Sequence, residues 1–159
     1  MRQLWAPWRL QYMQEASTAE GCVFCQEAAG ALGETSLVVH RGERAVVLLN
    51  KFPYSSGHLM VAPKRHIGSL GELQPEEAAE LHALTVQGLA ALVRIYAPEG
   101  FNVGWNLGAV AGGSIAAHLH QHVVPRWSGD TNFMPVLADV KVLPEHLEAT
   151  RARLKEAWR

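Results

Sequence analysis

The chain has 159 residues, 48% of them hydrophobic and 18% charged, and a net charge of −1 with its histidines neutral. Those figures fit one globular domain able to bury a sizeable core. They exclude a disordered chain and a broad basic nucleic-acid surface, though not a small anionic ligand held by local dipoles. The start, Met1 to Trp5, lacks the basic-then-apolar pattern of a signal peptide, and no apolar run reaches the ~18 residues of a membrane span. A soluble, cytoplasmic protein is the expectation.

Residues 1–20 mix tryptophan, proline and charge, and read as an arm packed on something else. Trp5 and Trp8 fit packing against a partner subunit better than stacking on a base. Cys22 and Cys25 follow; their separation suits a redox pair or half a metal site, with two unrelated thiols as the plain alternative. Ser36–His40 and Arg44–Asn50 read as strands, the segment from Phe52 to Gly57 as a loop, and His58–Pro63 as a third strand. Pro75, Glu76 and Glu77 suit the first turn of a helix. Leu81, Leu84, Leu89, Leu92, Val93 and Tyr96 recur near helical spacing and predict its core face. Phe101–Leu107 and Ala117–Pro125 complete five strands, and a last helix is expected over about 144–158. The fold class is α+β: a mostly antiparallel five-stranded sheet with two main helices in a single domain, 1–159.

The informative segment is His118-Leu119-His120-Gln121-His122-Val123-Val124-Pro125-Arg126. Alternate residues of a strand share a face, ~6.6 Å apart, so three imidazoles line one side. Buried imidazoles need hydrogen-bond partners, which makes three in a row costly as filler. A polar face of exposed histidines is the plain alternative. Two chemistries fit: a His-x-His zinc site, or an imidazole nucleophile that splits one displacement into two. Small residues just upstream, Gly112, Gly113 and Ser114, favour the nucleophile, because they let backbone N–H groups approach an anion. Gln121 interrupts the apolar positions, and nothing in the sequence accounts for it.

These residues resemble the histidine triad superfamily, whose mark is His-φ-His-φ-His-φ-φ with φ apolar; the likeness spans roughly Gly21 to Trp127, with Gln121 as the departure. Within the superfamily the chain is most similar to the branch of bacterial dinucleoside tetraphosphate phosphorylases. The shared segments are Leu4 to Arg9, Asn50 to His58, Phe101 to Gly104, Gly112 to Ser114, Pro125 to Trp127, and Asp130 with Asn132 and Phe133.

The resemblance implies a HIT-like fold, an adenine nucleotide or dinucleotide substrate, and a homodimer. It implies His120 as nucleophile toward the α-phosphate and His122 as a contact to phosphate oxygens. Gly113 and Ser114 would hold phosphate, with Asn106 nearby; Asn50 would contact ribose, and His58 would support the triad. Phe52 and Tyr54 border a possible adenine pocket. Relatives with the same Cys-x-x-Cys bind zinc, which implies a structural site of Cys22, Cys25, His66 and His118. Three other readings stay open: a hydrolase of nucleoside phosphoramidates or dinucleoside polyphosphates, a zinc hydrolase with His118 and His120 as ligands, and a non-catalytic nucleotide-binding module. A galactose nucleotidyltransferase fits less well, because that group has Gln in place of His122.

Overall fold

The computed structural model describes residues 21–111, 117–130 and 144–158. The arm at 1–20, the Gly113–Ser114 loop and the Asn132–Phe133 pair lie outside the described residues. Among the described residues, three α-helices and five strands follow in chain order: α1 (Val23–Ala29), β1 (Val38–Arg41), β2 (Ala45–Leu49), β3 (Leu59–Pro63), α2 (Pro75–Tyr96), β4 (Gly100–Trp105), β5 (Gln121–Arg126) and α3 (Leu147–Ala157). The strands form one sheet in the order β1-β2-β3-β5-β4, every neighbour antiparallel. Among the described residues, no helix is long and apolar enough to cross a membrane.

Both faces of the sheet are covered, which is why β2 and β3 are apolar throughout and buried at every position. On one face α2 and α3 bring Leu81, Leu84, Leu92 and Leu154 onto Val47, Leu49, Leu59, Val61 and Val123. Val93, read as core from its spacing, is instead 51% exposed, because it lies at the edge of the helix's apolar stripe. On the other face the short helix α1 drops Phe24 onto Val38, Val46, Leu48, Met60 and Ala62. One cross-strand row runs Val38, Leu48, Met60, His122, Gly104. His122 is therefore the polar end of an apolar row that starts under Phe24.

Local chemistry fixes the ends. Pro75 opens α2, and a reciprocal capping box joins Gln74 and Glu77. Glu77 also takes two hydrogen bonds from Arg65, each 2.6 Å, which ties the helix to the chain beyond β3. Glu27 on α1 accepts from Ser36 Oγ at 2.6 Å and from Leu37 N at 2.8 Å, holding α1 against the start of β1. α3 begins at Leu147 rather than near 144. Glu145 just before it accepts from Tyr96 and from Thr150. Gly57 has φ +77°, and a Cβ there would meet Leu92 Cδ2 at 2.7 Å, so only glycine lets the chain turn this tightly into His58.

Candidate active site and metal centre

β5 begins at Gln121, four residues later than the sequence suggests. His118 and His120 precede it, on a segment pinned by a backbone hydrogen bond from Leu119 N to Ile67 O at 2.6 Å. The rings still gather on one side. All three are buried, and the His120 and His122 ring centroids are 5.0 Å apart. Phe24 stacks on His120 at 4.7 Å and leans on His118 at 5.0 Å. An exposed polar face is thereby ruled out. Val123 is buried in the core beneath the helices, and Leu119, just before the strand, is buried as well. Gln121 gains its reason here: its side-chain amide lies 2.6 Å from the Thr85 hydroxyl on α2, which also donates to Leu81 O. A polar residue at that position pairs with a polar residue of the covering helix.

The protonation of His120 follows from its neighbour. Its Nδ1 is 2.7 Å from the His118 carbonyl oxygen. A carbonyl only accepts, so Nδ1 carries the proton and Nε2 keeps its lone pair. Burial lowers the affinity of this ring for a second proton, and the hydrogen bond to the His118 carbonyl opposes that only in part. A neutral imidazole with Nε2 unprotonated is the nucleophilic form.

A second chain of hydrogen bonds fixes His122. The backbone N–H of Tyr54 donates to His58 Nδ1 at 3.0 Å. Asn50 turns its NH₂ toward the same nitrogen at 3.5 Å, because its oxygen already accepts from Phe52 N. With Nδ1 an acceptor, the neutral His58 ring carries its proton on Nε2, which lies 2.9 Å from His122 Nδ1. His122 Nδ1 must then accept, and its proton sits on Nε2. Asn106 Nδ2 is placed 3.2 Å from that Nε2; two donors cannot pair, so the tautomer requires the amide turned end for end, with its oxygen accepting. Burial, then the nearby His120, lowers the His122 pKa to about 4, so the ring is neutral near pH 7 and still offers an N–H.

Cys22, Cys25, His66 and His118 come together as the sequence resemblance implies. Their four ligand atoms lie within 4.8 Å of one another. Individual separations are 3.2 Å for Cys22 Sγ to His118 Nδ1, 3.4 Å for Cys25 Sγ to His66 Nδ1, and 3.3 Å between the two Nδ1 atoms. A tetrahedral zinc with bonds of ~2.0–2.3 Å sets its ligand atoms roughly 3.3–3.8 Å apart, close to these values. The tautomer fits too. His118 Nε2 donates to Pro63 O at 2.8 Å, so its Nδ1 lone pair faces the thiols. Burial and the adjacent Cys22 push the Cys25 thiol pKa up when no metal is present. Four such ligands would complete a tetrahedral shell and leave no open position.

The HIT-domain family model matches residues 32–129. The chain belongs to the HIT family. Among curated HIT relatives, a Mycobacterium tuberculosis protein named AP-4-A phosphorylase is 42% identical over 99% of this chain and 85% of its own length. Protein hit of Bacillus subtilis is 33% identical over 72% of the chain and 77% of its own length. Among solved structures, a Zn-bound histidine triad family protein from Mycobacterium smegmatis has a TM-score of 0.69 and 26% identity, covering 90% of this chain and 94% of that one.

The other residues singled out in the sequence fall around His122. Asn50, His58 and Asn106 are joined to it by the hydrogen bonds above. Gly113 and Ser114 lie outside the described residues. A cavity of about 400 Å³ opens beside His122, with Tyr54, Asn102, Asn106, Arg126 and Asp130 in its walls. Three contributors escape a reading of the sequence: Phe24 as a wall of the nucleophile, Tyr54 through its backbone, and the Arg126–Asp130 pair. Phe24 leaves a local trace, an aromatic inside Cys-x-x-Cys, and Arg126 and Asp130 stand in segments shared with relatives, though not as a pair.

Proposed function

We propose that this HIT protein phosphorolyses dinucleoside tetraphosphates through a nucleotidyl-His120 intermediate. The observation that carries the reading is the 2.7 Å bond from His120 Nδ1 to the His118 carbonyl, which leaves Nε2 as an unprotonated, buried nucleophile. The 42% identity to the M. tuberculosis AP-4-A phosphorylase supports the substrate class.

His120 Nε2 attacks the α-phosphorus, a P–N bond forms, and the P–O bond to the rest of the polyphosphate breaks. The ring becomes cationic on phosphorylation, and the His118 carbonyl stabilises its Nδ1–H. The departing group leaves as a nucleoside triphosphate anion. A phosphate's last pKa is near 6, so a hydrogen bond from His122 Nε2–H to the departing oxygen suffices. An oxygen of inorganic phosphate then attacks the same phosphorus, the P–N bond breaks, and a nucleoside diphosphate leaves. Two in-line displacements give net retention at phosphorus. Asn50 contacts ribose; Gly113 and Ser114 hold phosphate oxygens; His58 positions His122.

Cys22, Cys25, His66 and His118 hold a structural zinc in this reading. When bound, the ion cross-links α1 to the segment carrying His120. The zinc-hydrolase reading fares worse: His118 Nδ1 faces the thiols and its Nε2 donates to Pro63 O, so neither nitrogen is left to share a metal with His120.

The test is incubation with diadenosine tetraphosphate, with and without inorganic phosphate, against His120→Ala. ADP plus ATP formed only with phosphate, and lost in the variant, is the expected result. AMP released without phosphate means a hydrolase. Binding without turnover means a nucleotide-binding module.

A further inference from the structure

We propose that Arg126 is a specificity-determining residue that receives the phosphate chain of the departing nucleotide. The proposal rests on the reaction just described and names where its leaving group lies. The cavity beside His122 touches His122 and not His120. His122 presents an N–H, the group suited to an oxygen that is leaving. What departs from phosphorus on that side therefore enters this cavity.

Its floor is built by alternation. Asn102 and Gly104 on β4 and His122, Val124 and Arg126 on β5 face one way, with Gly104 opposite His122 and Asn102 opposite Val124. Among the described residues nothing lies within 4 Å of where a Cβ at Gly104 would point, so the absence of a side chain there keeps the cavity open next to His122. Arg126 stands four residues along β5 from His122, about 13 Å at strand spacing. That span exceeds a small leaving group such as ammonia and suits a polyphosphate chain.

Arg126 is preset for the task. Its Nε and Nη2 donate to the two Asp130 oxygens at 2.5 and 3.1 Å, and Nη1 donates to Asn102 Oδ1 at 2.8 Å. These contacts use three of the five N–H groups of a guanidinium and fix its plane. Two donors remain, on a side chain that is 48% exposed in the cavity wall. Asp130 offsets part of the charge, so the site grips an anion without trapping the product.

The experiment compares two adenylyl donors in phosphate buffer, diadenosine tetraphosphate and adenosine 5′-phosphoramidate, with the full-length wild type, Arg126→Ala and Gly104→Val. The first variant removes the donor; the second narrows the cavity without touching Arg126 and keeps a strand-forming residue. Both are expected to lower kcat/KM for the tetraphosphate by about 10- to 100-fold more than for the phosphoramidate, the range of a lost charge-assisted hydrogen bond. Parallel losses on the two substrates, or no loss, overturn the proposal. A wild type that never cleaves the tetraphosphate overturns the phosphorolysis reading instead. The cavity is then judged by calorimetric titration with inorganic tripolyphosphate. At least tenfold weaker binding in Arg126→Ala upholds the assignment, and an unchanged Kd ends it.

Discussion

His58 Nε2 lies 2.9 Å from His122 Nδ1, and this contact decides which nitrogen of His122 presents a proton to the substrate. The decision starts at a backbone group that cannot change role, the Tyr54 N–H. Removing His58 therefore acts on chemistry through a neighbour. His58→Ala is expected to lower kcat about 10- to 100-fold, the usual scale for a residue that orients a functional imidazole, with KM changed less. His58→Gln, which keeps an N–H donor, should recover part of the loss. Nitrogen NMR of the His122 ring separates this from simple damage: the Nε2–H tautomer should dominate in wild type and lose its dominance in His58→Ala.

The depressed His122 pKa sets a direction for stability against pH. In the unfolded chain this ring takes a proton near 6.5; in the fold it does so only near 4. Between those values the unfolded state holds more protons, so stability falls as pH drops through that window and levels off below it. The expected contribution is about 2–3 kcal/mol. Urea midpoints at pH 7.5, 5.5 and 4.5 for wild type and His122→Gln check it. Zinc loss at low pH affects both proteins alike. An identical slope in the two proteins contradicts the assignment.

Phe24 joins the two centres, fully buried between the cysteines and stacked on His120. Phe24→Ala should cost about 3–5 kcal/mol by cavity formation. Phe24→Leu should restore most of the stability yet leave kcat reduced, because a leucine does not hold the His120 ring by stacking. Chemical denaturation paired with steady-state kinetics on the two variants makes the distinction.

Much of this was legible in the sequence, and the parts that were not have physical reasons. The histidine face, the Cys-x-x-Cys pair and the strand runs each carry a local pattern. α1 does not: at seven residues, with Cys22 rather than a capping side chain at its start, it lacks periodicity and a cap signal. The late start of β5 is also invisible locally, because Leu119 spends its N–H on Ile67 O rather than on a ladder partner. Gln121 looked anomalous because its explanation, Thr85, lies 36 positions away. Arg126 and Asp130 stand in the sequence only as parts of segments shared with relatives; that they pair, in the same cavity wall as His122, is set by the sheet.

Metal removal tests the separation of structure from chemistry. A chelator, or Cys22→Ser with Cys25→Ser, is expected to lower the thermal midpoint, since a ligand that binds only the fold stabilises it by mass action. Turnover at a temperature where the protein stays folded should fall only severalfold. Zinc content measured beside differential scanning fluorimetry and kinetics decides this. Complete loss of activity in a folded, metal-free protein would make the ion catalytic rather than structural.

The most direct measurement is intact-protein mass spectrometry after mixing with diadenosine tetraphosphate in the absence of phosphate. The expected result is a covalent adenylyl adduct that maps to His120, disappears on adding phosphate with release of ADP, and never forms in His120→Ala. Turnover with no adduct at the shortest mixing times, or turnover that survives His120→Ala, would contradict a histidine nucleophile.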